Sequence, residues 1–283
     1  MGKYFIKFSF IGTLYRGLQK HVNKNILDID SVQGAIETAL LTIHPKPVSK
    51  PRLYLTSRTD AGVHALQTIG QITLENRILE CVPVVEEFQA KNIVKSKTYI
   101  YRFMIAKKYD EQRLPISEMC HSFHLKSYTF DIERMKEGTK LFMGLKDFRT
   151  FASQSNKCLN RNYVRSLNSL TIEKAQPLMY FDELSTNFNY WHVVISSKGF
   201  LFNQVRRITS ALLGLGTGRI TEKDINTMLQ VPSTKNWNTH LPVVVPHGLH
   251  LVKVDYDLNE LEKYTIKDKL KELNIDSSIQ SVN

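Results

Sequence analysis

The sequence predicts an α+β protein, a largely antiparallel sheet with helices packed against it. Three observations carry this. Strand-like runs outnumber helical ones and often follow each other directly. Two runs alternate cleanly, Tyr4, Ile6, Phe8 and Phe10 along one side and Tyr99, Tyr101, Phe103 and Ile105 along another, as half-buried strands do. Apolar stripes at helical spacing are few: Val32, Ile36, Leu40 and Ile43, then Leu201, Val205, Ile208, Leu212 and Leu215.

In chain order, the first strand occupies residues 3–10. Gly12, Thr13 and Gly17 break it into a loop exposing Tyr15, Arg16 and Gln19. Asp30 with Gln33 three residues on resembles a capping box opening the first helix, which Pro45, Pro47 and Pro51 end. A strand at 53–55, a tight charged loop and a strand at 68–74 follow. Residues 81–87 and 97–105 read as strands, and 107–115 as a polar connector and domain seam. Next come a strand near 122–125, a helix at 132–142 started by Asp131, an aromatic loop at 147–151 and a strand at 164–173. Residues 175–189 read as an aperiodic insertion. A strand at 191–196, a helix at 200–215, a short helix from Thr221, an irregular loop at 231–246 and a strand at 248–256 complete the pattern. A Lys/Glu-rich helix at 258–273 precedes a frayed end. The organisation expected is an amino-terminal α+β unit at 1–106, a second at 107–257, and a helix and tail at 258–283.

Composition narrows the function. With 283 residues the chain can bury a sizeable core. No run approaches a membrane-spanning length, and the amino terminus shows neither a signal peptide nor a clear transit peptide. Cys81, Cys120 and Cys158 are isolated, which fits a reducing compartment and argues against disulfides or a zinc site. Lys and Arg number 38 against 27 Asp and Glu, a net charge of +11 spread along the chain. Distributed basic charge suits a polyanion such as nucleic acid, and equally suits plain solubility.

Asp60 sits in the loop after 53–55, two residues from Arg58. Two readings are open: a charged turn in which Asp60 caps its own backbone, or a carboxylate displayed at the rim of a sheet. Tyr99 is a flat ring mid-strand, and Arg206 lies just off the buried stripe of its helix. Packing and snorkelling explain them singly. Converged, they form an ionised carboxylate, its counter-charge and a stacking ring, which suits an enzyme acting on a flipped nucleotide. A zinc deaminase is excluded by the absence of H-x-E and C-x-x-C. Gly214, Gly216 and Gly218 invite a phosphate-loop reading, but they end a helix instead of opening one, so they read as its carboxyl-terminal cap and turn.

Ser57-Arg58-Thr59-Asp60-Ala61-Gly62-Val63-His64-Ala65 resembles the signature of the TruA family of tRNA pseudouridine synthases. The loop at Tyr15, Gly17 and Gln19, the start of the first helix at Ser31, Phe88 to Lys91, the Tyr99 strand, the Asp147 and Phe148 segment, the run Phe200 to Arg206 and the last strand resemble further family segments in order. The wording of Ser57-Arg58 and of 200–207 is similar to the animal tRNA pseudouridine synthase-like branch. The resemblance implies two α+β halves whose sheets join, with an active-site cleft between them. It implies isomerisation of uridine to pseudouridine in the tRNA anticodon arm, at positions 38 to 40, by a homodimer without cofactor, metal or membrane. A catalytically silent tRNA-binding homologue is the alternative. The branch points to mitochondria, with cytoplasm or nucleus as alternatives. By resemblance Asp60, Tyr99 and Arg206 are catalytic. Tyr99 stacks on the base and receives the C5 proton, and Arg206 pairs with Asp60. Arg58 holds the flipped nucleotide, Leu201 walls the base pocket, and Tyr15, Gln19 and Lys91 are further substrate contacts. Gln89 and Lys91 replace the family's His and Arg, and the connection at 75–79 is shorter than the family's.

Overall fold

β1 (Gly2–Phe10) and β3 (His64–Leu74) form the first antiparallel pair, Gly2 opposite Leu74 through Phe8 opposite Thr68, with a bulge before Phe10 meets Ala65. The computed structural model describes residues 2–20, 28–43, 50–74, 82–153 and 162–266. The short connection at 75–79, Cys81, Cys158 and the tail beyond 266 lie outside the described residues. Between β1 and β3 the chain forms α1 (Val32–Ile43) and the short strand β2 (Arg52–Leu55). Tyr4, Ile6 and Phe8 on β1 pack with Ile36 and Leu40 of α1 around Leu53 and Ile72, so one face of this end of the sheet is closed by one helix. The expected Asp30 capping box does not form. Ser31 Oγ instead accepts from the Gly34 N–H at 3.1 Å, and Asp30 turns to Arg16 at 3.1 Å. The Gln33 side chain is taken by the Lys20 N–H and the Leu53 carbonyl.

β4 (Val82–Val84) adds to the outer edge of β1. β5 (Val94–Ala106) is the long central strand. Tyr99, Tyr101 and Phe103 face the main core, while Met104 faces a smaller cluster with Phe188 and Tyr190. β6 (Phe123–His124) pairs parallel to the far end of β5. α2 (Ile132–Gly138) is capped by Asp131 and runs on as a 3-10 turn to Phe142. β7 (Gly144–Asp147) and β8 (Val164–Leu167) make a separate hairpin-like pair. β9 (Ser169–Ala175) and β10 (Phe188–Ser197) extend the main sheet beyond β5. β10 begins earlier than expected, because Asp182 caps a 3-10 turn at Glu183–Asn187 that feeds directly into it.

α3 (Gln204–Gly216) starts four residues later than the stripe implied. Asn203 has φ 60°, a left-handed conformation that Asn tolerates. The Leu201 N–H is satisfied by the Gln204 side chain at 2.8 Å, so residues 200–203 form a turn ahead of the helix. Gly214 and Gly216 lie within α3, where a Cβ would strike Leu241 or Phe130, and Gly218, at φ +72°, closes the turn beyond it. α4 (Glu222–Gln230) carries a complete capping box from Thr221 and Asp224.

β11 (Leu249–Tyr256) inserts between β3, to which it is parallel, and β5, to which it is antiparallel. α5 (Leu258–Lys263) ends inside the span of the expected helix at 258–273, whose residues beyond 266 lie outside the described ones. Tyr264 packs against Phe88, and Thr265 forms a bridge with Val84, so the chain leaves the helix to dock beside β4. Among the described residues nine strands form one sheet, in the main order β4-β1-β3-β11-β5-β10-β9, antiparallel except at β3/β11 and β5/β6. The main core lies between that sheet and α3 with α2. No helix among the described residues is long and apolar enough to cross a membrane.

Candidate active site

The loop leaving β2 returns as β3, carrying Ser57 to Val63. Its backbone is held from several sides. Thr59 and Asp60 carbonyls accept from the Leu18 and Val63 N–H groups at 3.2 and 3.3 Å, and the Gly62 N–H donates to the Tyr15 carbonyl at 3.2 Å. Gly17 makes this approach possible. Its φ is +133°, and a Cβ there would lie 2.9 Å from the Thr59 carbonyl oxygen.

Asp60, Tyr99 and Arg206 converge as their sequence contexts suggested. Asp60 Oδ2 faces Arg206 Nη1 at 3.6 Å, longer than a hydrogen bond. The opposite charges therefore interact across this gap. Arg206 is pinned by other bonds: Nε donates to the Val244 carbonyl at 2.7 Å and Nη1 to Asn203 Oδ1 at 2.9 Å. Asn203 thus both turns the chain into α3 and aims the guanidinium. Burial pushes the Asp60 carboxyl above its ordinary range, and the facing Arg206 charge opposes that rise.

Tyr99 projects from β5 beneath the loop, its hydroxyl 3.5 Å from the Arg58 carbonyl. Burial, with the Asp60 charge beside it, raises its phenol far above the ordinary tyrosine value. Tyr99 is therefore a neutral hydrogen-bond donor and ring surface. Phe200 meets it edge-on with centroids 5.3 Å apart, and buried Leu201 follows. Arg58 is exposed on the same loop. Tyr15 is half-buried and touches the loop through its backbone. Gln19 and Lys91 line another cleft, of about 870 Å³, with Lys3, Gln33 and Gln71, whose lining does not include Asp60.

Sequence reading missed several residues here. Lys97, on the same face of β5 as Tyr99, donates from Nζ to the Thr56 carbonyl. Behind the loop, His64, the first residue of β3, stacks on His250 at 4.8 Å and packs on His121 at 4.7 Å. The Gly12 N–H donates to His64 Nδ1, so Nε2–H donates to the Cys120 carbonyl. Burial lowers the pKa of His64, and that of His250 to about 4. On β5, buried Arg102 forks onto Glu118 at 3.0 and 2.7 Å. Burial pushes the Glu118 carboxyl up, but bonds from Arg102, Ser122 and the Leu178 N–H hold it below its ordinary value. The signal for Lys97 was its i, i+2 relation to Tyr99. The histidines gave no sequence signal, because three separate segments bring them together. No group of three or more His, Cys, Asp or Glu among the described residues is placed to hold a metal ion.

One sheet thus brings a carboxylate loop, a buried phenol and a fixed guanidinium together. The family model described as tRNA pseudouridine synthase matches residues 139–257, the stretch that holds α3 and β11. The tRNA pseudouridine synthase-like 1 of Xenopus laevis is 26% identical over 95% of this chain and 96% of its own length. The human protein of the same name is 27% identical over 90% of each. The tRNA pseudouridine synthase A of Afipia carboxidovorans is 28% identical over 90% of this chain and 100% of its own. A solved Cbf5-Nop10-Gar1 complex overlaps at 14% identity and a TM-score of 0.29, covering 73% of this chain and 45% of its own, too loosely to bear on the fold. The chain is thus similar to tRNA pseudouridine synthases of animals and of bacteria.

Proposed function

We propose that the protein isomerises uridine to pseudouridine in the anticodon arm of tRNA, at positions 38 to 40, with Asp60 as the reactive carboxylate and no cofactor. The observation that carries this reading is the Asp60 carboxylate facing Arg206 at 3.6 Å, partly shielded from water and next to the Tyr99 ring. An ionised carboxylate held this way can assist departure of uracil from the ribose, as nucleophile at C1′ or as base at C2′. The N1–C1′ bond breaks, the freed base turns on the Tyr99 and Leu201 surface, and a C5–C1′ bond forms. The C5 proton leaves and N1 gains one, so the product is an isomer. Because Tyr99 is held as a neutral phenol, stacking and hydrogen-bond donation suit it better than taking that proton unaided.

Arg58, exposed beside Asp60, supplies a fork for a phosphate of the extruded nucleotide. The +11 net charge supports a long polyanionic substrate. Tyr15 borders the loop, and Gln19 and Lys91 are proposed to meet tRNA away from the reacting base. A homodimer bridged by one tRNA, and a mitochondrial tRNA pool, complete the proposal.

Tritium release from tRNA carrying C5-labelled uridine tests it. Release by wild type and its loss in Asp60→Ala are expected. Binding without release by the wild-type protein would instead identify a silent tRNA-binding homologue. Turnover retained in Asp60→Ala would overturn the role of the carboxylate. Pseudouridine maps of mitochondrial and cytosolic tRNA, scored separately after gene disruption, test position and compartment.

A further inference from the structure

Four carbonyl groups between Thr56 and Asp60 accept hydrogen bonds, and two of the donors are side chains of β5. Lys97 donates to Thr56 and Tyr99 to Arg58, two residues apart on the strand and two apart on the loop. Backbone N–H groups of Leu18 and Val63 serve Thr59 and Asp60. The loop's own buried hydroxyls hold nothing: Ser57 Oγ and Thr59 Oγ1 have no partner. Three of those four donors lie outside the loop, and Lys97 acts at the exit from the sheet, where Thr56 makes its last contacts with Ile69.

Lys97 is an unusual choice for such a task. It sits on the central strand, opposite Ser197 of β10 and Val254 of β11. Among the described residues no carboxylate pairs with it, and burial alone lowers its pKa to about 8. An ammonium shielded from water without a counter-ion costs stability. An apolar side chain would cover the same surface without that cost. In exchange, a charged donor grips a carbonyl about twice as strongly as a neutral one.

We propose that Lys97 is a positioning residue whose ammonium, bonded to the Thr56 carbonyl, sets the exit of the 57–63 loop and so the approach of Asp60 to the target nucleotide. This rests on the function proposed above, in which Asp60 is the reactive group.

The test compares wild type with Lys97→Met and Lys97→Arg, and with Lys97→Gln should the Met variant not fold. Lys97→Met is expected to lower kcat about 10-fold or more with KM nearly unchanged, since misplacement acts on the reacting geometry and not on tRNA binding. Lys97→Arg, which keeps a charged donor, is expected to recover most of kcat. Wild-type kcat is expected to decline as pH rises through about 8, and Lys97→Arg is expected to lack that limb. An unchanged kcat in Lys97→Met would overturn the proposal. So would a loss confined to KM and to the salt dependence of binding, which would mark a phosphate contact. Amide hydrogen exchange over residues 56–63 needs no turnover. Faster exchange in Lys97→Met supports the positioning role, and an unchanged rate sinks it. If wild type releases no tritium from any tRNA, the function proposed above fails, while hydrogen exchange still decides the role of Lys97.

Discussion

Replacing Gly17 by Ala is expected to move the Asp60 loop without altering any group that touches substrate. Gly17 holds φ at +133°, outside the range a residue with a Cβ adopts comfortably. The new methyl would lie 2.9 Å from the Thr59 carbonyl oxygen, about half an ångström short of the 3.4 Å at which ordinary contact begins. That oxygen is backbone and cannot rotate away. Either the 15–18 segment changes conformation or the loop retreats, and both weaken the 3.2 Å bond from the Leu18 N–H to Thr59. Strain at such a φ costs about 1–3 kcal/mol, and the weakened bond about 0.5–1.5, for a total of about 2–4 kcal/mol. At ~2 °C per kcal/mol for a chain of this size, Tm falls by about 4–8 °C. Since a misplacement of about 1 Å can cost 10²-fold, half of that at Asp60 lowers kcat roughly 10-fold. Thermal melts and tritium-release kinetics on the same preparation measure both. A variant with wild-type Tm and kcat would refute the claim that Gly17 sets the position of the loop.

Four further outcomes are expected. Arg206→Met removes the charge that opposes burial at Asp60, so the carboxyl titrates at higher pH and the acid limb of kcat/KM moves upward; an unmoved limb would show that Asp60 does not depend on this pair. His250 is held neutral by burial, with His64, His121 and Arg102 around it and a pKa of about 4 against 6.5 unfolded. Above 6.5 neither state is charged; as pH falls from there to 4 the unfolded chain takes up the proton first, so ~3 kcal/mol of stability is lost, and His250→Gln should flatten that loss between urea midpoints at about pH 7.5 and 4.5. Glu118→Ala strands the buried Arg102 guanidinium and should destabilise by about 3–5 kcal/mol, read from the denaturation midpoint. Affinity for tRNA should fall steeply between about 50 and 200 mM salt, and a flat response would contradict phosphate-dominated binding.

Much of the architecture was legible because local periodicity carried it. The alternation of Tyr99, Tyr101 and Phe103 placed them on the core face of β5, where they are found. Element ends were less legible. The apolar stripe alone extended α3 back through Leu201, because nothing local announces that Asn203 adopts a left-handed turn. The Lys/Glu pattern likewise continued past Lys263, where packing of Tyr264 on Phe88 ends the helix.

By itself the sequence determined the α+β class and the net basic charge, which short local patterns carry, and through its family resemblance it nominated the three residues that meet at the site. The tertiary structure alone decided what those residues experience. The 3.6 Å spacing of Asp60 and Arg206, the neutral phenol of Tyr99, the hold of Lys97 on Thr56 and the stacked histidines behind the loop depend on β11 entering between β3 and β5. That insertion joins residues nearly two hundred positions apart in the chain. Distance, burial and the resulting shifts in proton affinity arise from such long-range contacts, to which short-range periodicity is blind.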